Sequence, residues 1–263
     1  MWRDAVGTLH QRADSPARIV SLVPSITELV CDLGLAAQLV GRTGFCVHPR
    51  ETLRAVPKVG GTKDVNLARL RALAPTHVLL NIDENEKPVA AALAQFVPKL
   101  IVTHPLAPLD NPTLFRLLGG IFGREREAEA LCARFYAAHD ALAQAARDWP
   151  RQRVLYLIWK DPWMTVSRDT YISRTLALAG WDTLPASNAT RYPQLTLDEV
   201  LLRDVQQVML SSEPYRFRAR HVAELRALPL MREKAVALID GEMTSWYGSR
   251  AIAGMDYLRR LRT

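Results

Sequence analysis

Aromatic side chains gather in stretches of this chain that otherwise read as loops. Phe45, Trp159, Trp163, Tyr192, Tyr215, Phe217, Trp246 and Tyr247 lie at or just beyond short apolar runs, among Gly, Pro and Ser. Loops are usually polar, so flat rings there need a partner, either the protein itself or a ligand. Lys63, Asn81, Asn85, Arg191 and Arg250 are interspersed with them. Rings with converging cations and amides suit a large, partly conjugated ligand that is anionic or carries amide groups. Packing within the protein is the competing reading for part of the set.

Cys46-Val47-His48 offers a second chemistry. On an extended segment residues two apart point the same way, so both side chains could ligate one metal. Two ligands are too few for a structural zinc, and His104 is the nearest candidate for a third. A loop cysteine beside a solvated histidine is the plainer alternative. The sequence has no Ser-His-Asp order, phosphate-binding glycine loop or dinucleotide glycine pattern, so it nominates no nucleophile and no catalytic residue.

These loops need a scaffold, and its organising element is the stretch Arg124 to Trp149. Ala128, Leu131, Phe135, Ala138, Leu142 and Ala145 recur at three- and four-residue steps, one face of a helix. Gly123 precedes it and Pro150 stops it. A helix of roughly 25 residues spans about 37 Å at about 1.5 Å per residue. That is long for one small α/β layer, so the helix reads as a strut between two halves.

The halves repeat one another. Asn66 to Leu70 followed by Pro75 to Leu80 matches Thr196 to Val200 followed by Val205 to Leu210. Each copy reads as a capped helix, with Asn66 or Thr196 as N-cap, running into a buried strand. Arg18 to Val23 and Arg153 to Ile158 open the two halves as strands. Strand–helix alternation through both halves predicts parallel sheets with helices on both faces. Each candidate loop then follows, or lies beside, the carboxyl end of a strand, where open α/β sheets bind ligands. The expected organisation is an N-terminal α/β lobe over 1–111, linking helices over 112–150 and a C-terminal α/β lobe over 151–263. Residues 1–17 read as a loose arm or a short helix.

Composition narrows the function. The chain has 263 residues, 49% hydrophobic and 23% charged, as in an ordinary globular protein. Its net charge of +7 favours anionic partners, yet the Arg residues are scattered, and nucleic acid is not expected. Three widely spaced cysteines are no disulfide framework and suit a reducing compartment. No window has the length of a membrane span or the pattern of an export signal, so a cytoplasmic protein is expected.

Three segments, RIVSLVPSITELVCDLGL, KVGGTKDVNLARLRALAPTHVLL and YPQLTLDEVLLRDVQQVML, resemble the cobalamin- and iron-chelate-binding proteins of ABC importers. GFCVHP, WKDPWMTV and SWYGSR resemble the helical backbone metal receptor branch of that family. The resemblance covers roughly residues 18–263. It implies two Rossmann-like α/β lobes joined by one long backbone helix, of the class III periplasmic-binding-protein type, with the ligand held between them. It also implies a Glu on one helix of each lobe for docking a permease. Here those positions are Ala68 and Asp198, so docking to an importer is not expected. Cobalamin binders carry Trp where this chain has Thr62 and Asn81, although Tyr192 keeps an aromatic and Trp159, Trp163 and Trp246 add stacking surface.

The expected function is non-catalytic binding of a metal-containing macrocycle or chelate, a corrinoid first, with no cofactor required. Phe45, Lys63, Asn81, Asn85, Trp159, Trp163, Arg191, Tyr192, Tyr215, Trp246, Tyr247 and Arg250 are the candidate ligand contacts. An anionic iron chelate is the alternative ligand, favoured by Lys63, Arg191 and Arg250. A metal-dependent enzyme using Cys46 and His48 is the alternative class.

Overall fold

The computed structural model describes residues 1–14, 16–186 and 189–262. The chain divides into two compact units. The first comprises Met1–Pro105, Leu109–Phe135 and Tyr247–Arg250; the second comprises Leu106–Pro108, Tyr136–Trp246 and the residues from Ala251 on. Beside the expected limits, Leu106–Pro108 fall in the second unit, the expected linking stretch is divided between the units at Phe135–Tyr136, and Tyr247–Arg250 return to the first.

The first unit opens on a hairpin, β1 (Trp2–Arg3) with β2 (Leu9–His10), where the sequence suggested a loose arm or helix. Asp4 is its hub. One carboxylate oxygen accepts from the N–H groups of Val6 and Thr8 at 3.1 and 2.9 Å. The other accepts from the Val102 N–H at 3.2 Å and faces His10 Nε2 at 3.1 Å. Two-residue strands are too short to show alternation, so only the partners of a buried carboxylate mark them.

Behind the hairpin stands a parallel sheet of β3 (Ile19–Ser21), β4 (Leu39–Arg42), β5 (His77–Asn81) and β6 (Lys99–Thr103), in the order β4-β3-β5-β6. β3 and β5 are buried along their whole length, as parallel strands covered on both faces must be. The helices of this unit are α1 (Pro24–Asp32), α2 (Arg50–Leu53), α3 (Leu67–Ala72), α4 (Lys87–Leu93) and α5 (Asn111–Ile121). Asn66 caps α3 as expected, accepting from the Arg69 N–H at 2.9 Å. Val20, Leu22, Val59, Leu70, Val78, Leu80 and Leu93 form its core.

The long helix is α6 (Glu125–Ala146), 22 residues. Gly123 stands before it at φ +66°, a backbone state glycine adopts without strain. Ala128, Leu131, Phe135 and Leu142 are buried and Ala138 and Ala145 half-buried, so the apolar stripe read from the sequence is the packed face. The helix starts in the first unit and passes into the second between Phe135 and Tyr136.

In the second unit, β7 (Gln152–Trp159) lies beside β10 (Gln207–Ser211), which lies beside β11 (Ala235–Ile239), all parallel. β8 (Met164–Thr165) runs antiparallel to the carboxyl end of β7, and β9 (Trp181–Thr183) parallel to its start. The helices are α7 (Tyr171–Leu178), α8 (Glu199–Leu202), α9 (Ala219–Arg226), α10 (Gly241–Ser245) and α11 (Arg250–Arg262), the last beginning on a residue of the first unit. Leu155, Leu157, Val208, Leu210, Phe217 and Val236 are central to the core. One cap differs from the sequence reading. Asp198, and not Thr196, caps α8, accepting from the Leu201 N–H at 2.8 Å. Among the described residues no helix is long and apolar enough to cross a membrane.

Candidate functional site

Parallel pairing brings the carboxyl ends of Ser21, Arg42, Asn81 and Thr103 to one edge of the first sheet. It does the same for Trp159, Ser211 and Ile239 in the second. The aromatic-rich segments follow these ends, as the sequence pattern requires.

In the second unit Trp159, Trp163, Tyr215 and Phe217 form one cluster with His221. Trp159, the last residue of β7, is 40% exposed and meets Tyr215 edge-on at 5.5 Å between centroids and 69°. Tyr215 rests on Phe217 at 4.7 Å, and Trp163 stacks parallel to Phe217 at 6.2 Å. His221, buried at the start of α9, closes the base at 5.4 Å from Phe217. The Lys160 ammonium lies 5.9 Å from the Trp163 ring and 2.6 Å from Glu224. Phe217 is core, Trp163 and Tyr215 are half-buried, and Trp159 presents the open ring. Offset and edge-on pairs of this kind hold rings in fixed orientations.

Trp246 lies in the same unit but is only 8% exposed. Its Nε1 donates to Glu213 Oε1 at 2.7 Å, and Ser245 Oγ donates to the same oxygen at 2.8 Å. Burial pushes the Glu213 carboxyl above the ordinary carboxylate range, with Glu242 and Asp240 adding to the rise and the two hydrogen bonds opposing it. Arg191 and Tyr192 follow at the loop before β8's bridge partner Gln194. Arg191 Nε donates to the Asp169 carbonyl at 2.9 Å and its guanidinium lies 5.8 Å from the Tyr192 ring.

In the first unit several expected contacts turn out to hold the protein together. Asn81 is buried, donating to Thr103 Oγ1 at 3.3 Å and accepting from the Asp83 N–H at 2.8 Å. Asn85 accepts from the Asn81 N–H at 2.9 Å and donates to the Thr62 carbonyl at 2.9 Å. Tyr247 is buried with its hydroxyl donating to Glu84, and burial together with that carboxylate drives the phenol well above its usual range. Arg250 forms a two-pronged pair with Glu28 at 2.6 and 2.7 Å. Phe45 is 62% exposed beyond β4, and Lys63 is exposed before α3. Glu28, Glu84 and Glu213 were missed in the sequence. For Glu84 and Glu213 the signal was a carboxylate two or three residues beyond a buried strand's carboxyl end, whereas Glu28 lies inside α1.

The metal reading of Cys46 and His48 does not fit the geometry. The segment turns at Gly44–Phe45 and bends again at His48, so the alternation of an extended strand is absent. Cys46 is wholly buried, its Sγ 3.0 and 3.1 Å from the Thr27 and Thr43 hydroxyls. Burial raises the thiol above its usual range, with the Thr27 and Thr43 hydrogen bonds opposing the rise. His104 Nε2 lies 3.4 Å from Asp83. Among the described residues no three His, Cys, Asp or Glu side chains are placed to hold an ion. Asp198, at the docking position that the resemblance implies, is the cap of α8, and Ala68 lies exposed on α3.

Two α/β units built on parallel sheets and traversed by one long helix define the class III periplasmic-binding-protein architecture. The periplasmic vitamin B12 binding protein BtuF of Vibrio cholerae has this fold, with TM-score 0.80, 18% identity, and 94% of this chain and 97% of that one covered. The apo periplasmic heme-binding protein RhuT from Roseiflexus sp. RS-1 superposes with TM-score 0.81 at 20% identity, over 97% and 98% of the two chains. The vitamin B12-binding protein of Pectobacterium carotovorum subsp. carotovorum (strain PC1) is 24% identical over 201 residues, 76% of this chain and 72% of that protein. The family model described as periplasmic binding protein matches residues 19–240, and the chain belongs to that family. The family is described as periplasmic, so the cytoplasmic expectation finds no support in it.

Proposed function

We propose that the protein binds a metal-centred macrocycle, a corrinoid first, and releases it unchanged. Trp159 carries this reading: a large apolar ring, 40% exposed at a strand's carboxyl end and braced by Tyr215. A braced, open indole is suited to lie against a flat or apolar ligand face. The cobalamin ligand named for the Pectobacterium carotovorum relative supports a corrinoid. Haem, named for the Roseiflexus protein of the same fold, is the second reading. An anionic iron chelate loses one of its three expected cations, because Arg250 is committed to Glu28.

Docking to an importer is not expected through the positions expected from the sequence. Ala68 has no charge, and the Asp198 carboxylate accepts a hydrogen bond from its own helix. The test of function is an absorption titration of purified protein with hydroxocobalamin, dicyanocobinamide, hemin and a ferric hydroxamate. Saturable binding of a corrinoid, with the ligand recovered unaltered, is expected. Tight binding of hemin alone would replace the first reading with the second, and chemical change in a bound chelate would overturn both.

A further inference from the structure

Glu213 stands two residues beyond the carboxyl end of β10, and a small cluster converges on it. Its Oε1 accepts from Trp246 Nε1 and Ser245 Oγ, both at the far end of α10. The near end of α10 is fastened to the same loop, since the Gly241 N–H donates to Ser212 Oγ at 2.8 Å. Asp240 Oδ1 accepts from the N–H groups of Glu242 and Met243 at 3.0 and 3.4 Å, closing the helix start. A Cβ on Gly241 would lie 2.5 Å from both Ser211 Oγ and Glu213 Cγ, so the approach leaves no room for a side chain. Beneath it the buried Tyr156 hydroxyl donates to Ser211 Oγ at 2.9 Å and lies 2.7 Å from Thr244 Oγ1.

We propose that Glu213 is a positioning residue for the ligand loops of the second unit, one oxygen fixing Trp246 and Ser245 against the loop after β10. The inference rests on the reading that these loops hold the ligand. Its support beyond geometry is that a carboxyl group stands where burial opposes its charge. Burial raises the carboxyl, the two donors pull it down, and Glu242 and Asp240 raise it further. Tyr156 and Tyr257, the other titratable groups around the cluster, are themselves raised above their usual values, chiefly by burial. With the folded value above the unfolded one, the group's contribution to stability is whole at acid pH and falls as pH rises. A neutral amide would therefore serve the fold at least as well. A carboxyl group placed where burial opposes its charge, and joined there by two donors, is the pattern of a functional position.

Glu213→Gln preserves the shape and the accepting oxygen while removing the charge. Without ligand, this variant should melt no lower than the parent at about pH 7.5, because a raised carboxyl contributes least to stability at the alkaline end. The emission of Trp246, isolated by difference against Trp246→Phe, should shift in the parent as pH is lowered from neutral through the titration of Glu213 and stay constant in Glu213→Gln. Affinity for hydroxocobalamin should fall about three- to tenfold in the variant at neutral pH, the scale of losing charge from a hydrogen bond. A lower melting temperature with unchanged emission and affinity would make Glu213 a purely structural residue and overturn the inference. If the parent binds no chelate, the functional reading fails separately, and the emission measurement alone decides the role of Glu213.

Discussion

Trp159, at the end of β7, and Trp246, just after α10, carry the same side chain in the same unit, yet they should respond differently to truncation. Trp159 is 40% exposed and braced edge-on by Tyr215. Trp159→Ala should weaken corrinoid binding by about 1–3 kcal/mol while the melting temperature barely moves. Trp246 is 8% exposed and satisfies Glu213. Trp246→Ala removes buried area and leaves that carboxylate a donor short, so it should cost about 3–5 kcal/mol of stability. Paired chemical denaturation and absorption titrations check both variants. If Trp159→Ala proved the more destabilising and bound normally, the open ring would be packing and not a ligand surface. The same division runs through the other aromatic and polar candidates. Phe45 and Lys63 are open, whereas Tyr247, Asn81 and Asn85 are tied into the fold.

The helix α6 shows what one element contributes. Its buried stripe serves the first unit through Leu131 and Phe135, the latter edge-on to Phe115 at 6.3 Å, and the second through Leu142. Ala138 sits between these groups, half-buried, in the middle of an unbroken hydrogen-bonded ladder. Proline there lacks the N–H and its ring collides with the preceding turn, so Ala138→Pro should cost about 3 kcal/mol or more. Ala138→Ser, which keeps the N–H, should cost much less, and helicity followed by circular dichroism during urea unfolding compares them. Equal midpoints for the two variants would show that α6 is already interrupted in solution. A short helix can depend just as strongly on one residue. α8 has four residues and takes its start from Asp198.

For the molecule as a whole, the division of the chain makes its halves interdependent. Residues 1–111 expressed alone lack the helix pair up to Phe135 and the returning segment Tyr247–Arg250, which supplies the partners of Glu84 and Glu28. Such a fragment should be insoluble or give a collapsed amide spectrum in NMR; a dispersed native spectrum would refute the interdependence. Stability should also depend on acid through His77, buried at the start of β5. Burial, then the nearby His10 and Lys99, hold its pKa down to about 4, against 6.5 in the unfolded chain. Between those values the unfolded state binds more protons, so this contribution is whole above about 6.5 and is lost as pH falls towards 4. Urea midpoints across that range should drop more steeply for the parent than for His77→Gln. Parallel curves would assign the acid sensitivity elsewhere.

Much of the architecture was legible from the sequence because helices and buried strands advertise themselves locally. The three- and four-residue steps from Ala128 to Ala145 located α6 to within a few residues, and the apolar runs at Lys99 and Val236 became β6 and β11. The sequence also placed the aromatic loops at strand ends, since that follows from element order alone. It determined the family through Arg18 to Leu35 and the two repeats, a matter of pattern. The hairpin at Trp2 was invisible, being held by Asp4 and by Val102 far along the chain. What only the tertiary structure decided was the employment of each polar group. Arg250 meets Glu28 across 222 residues and Tyr247 meets Glu84 across 163. No local pattern encodes such partners, because a hydrogen bond depends on where the fold brings two side chains and not on their spacing in the chain.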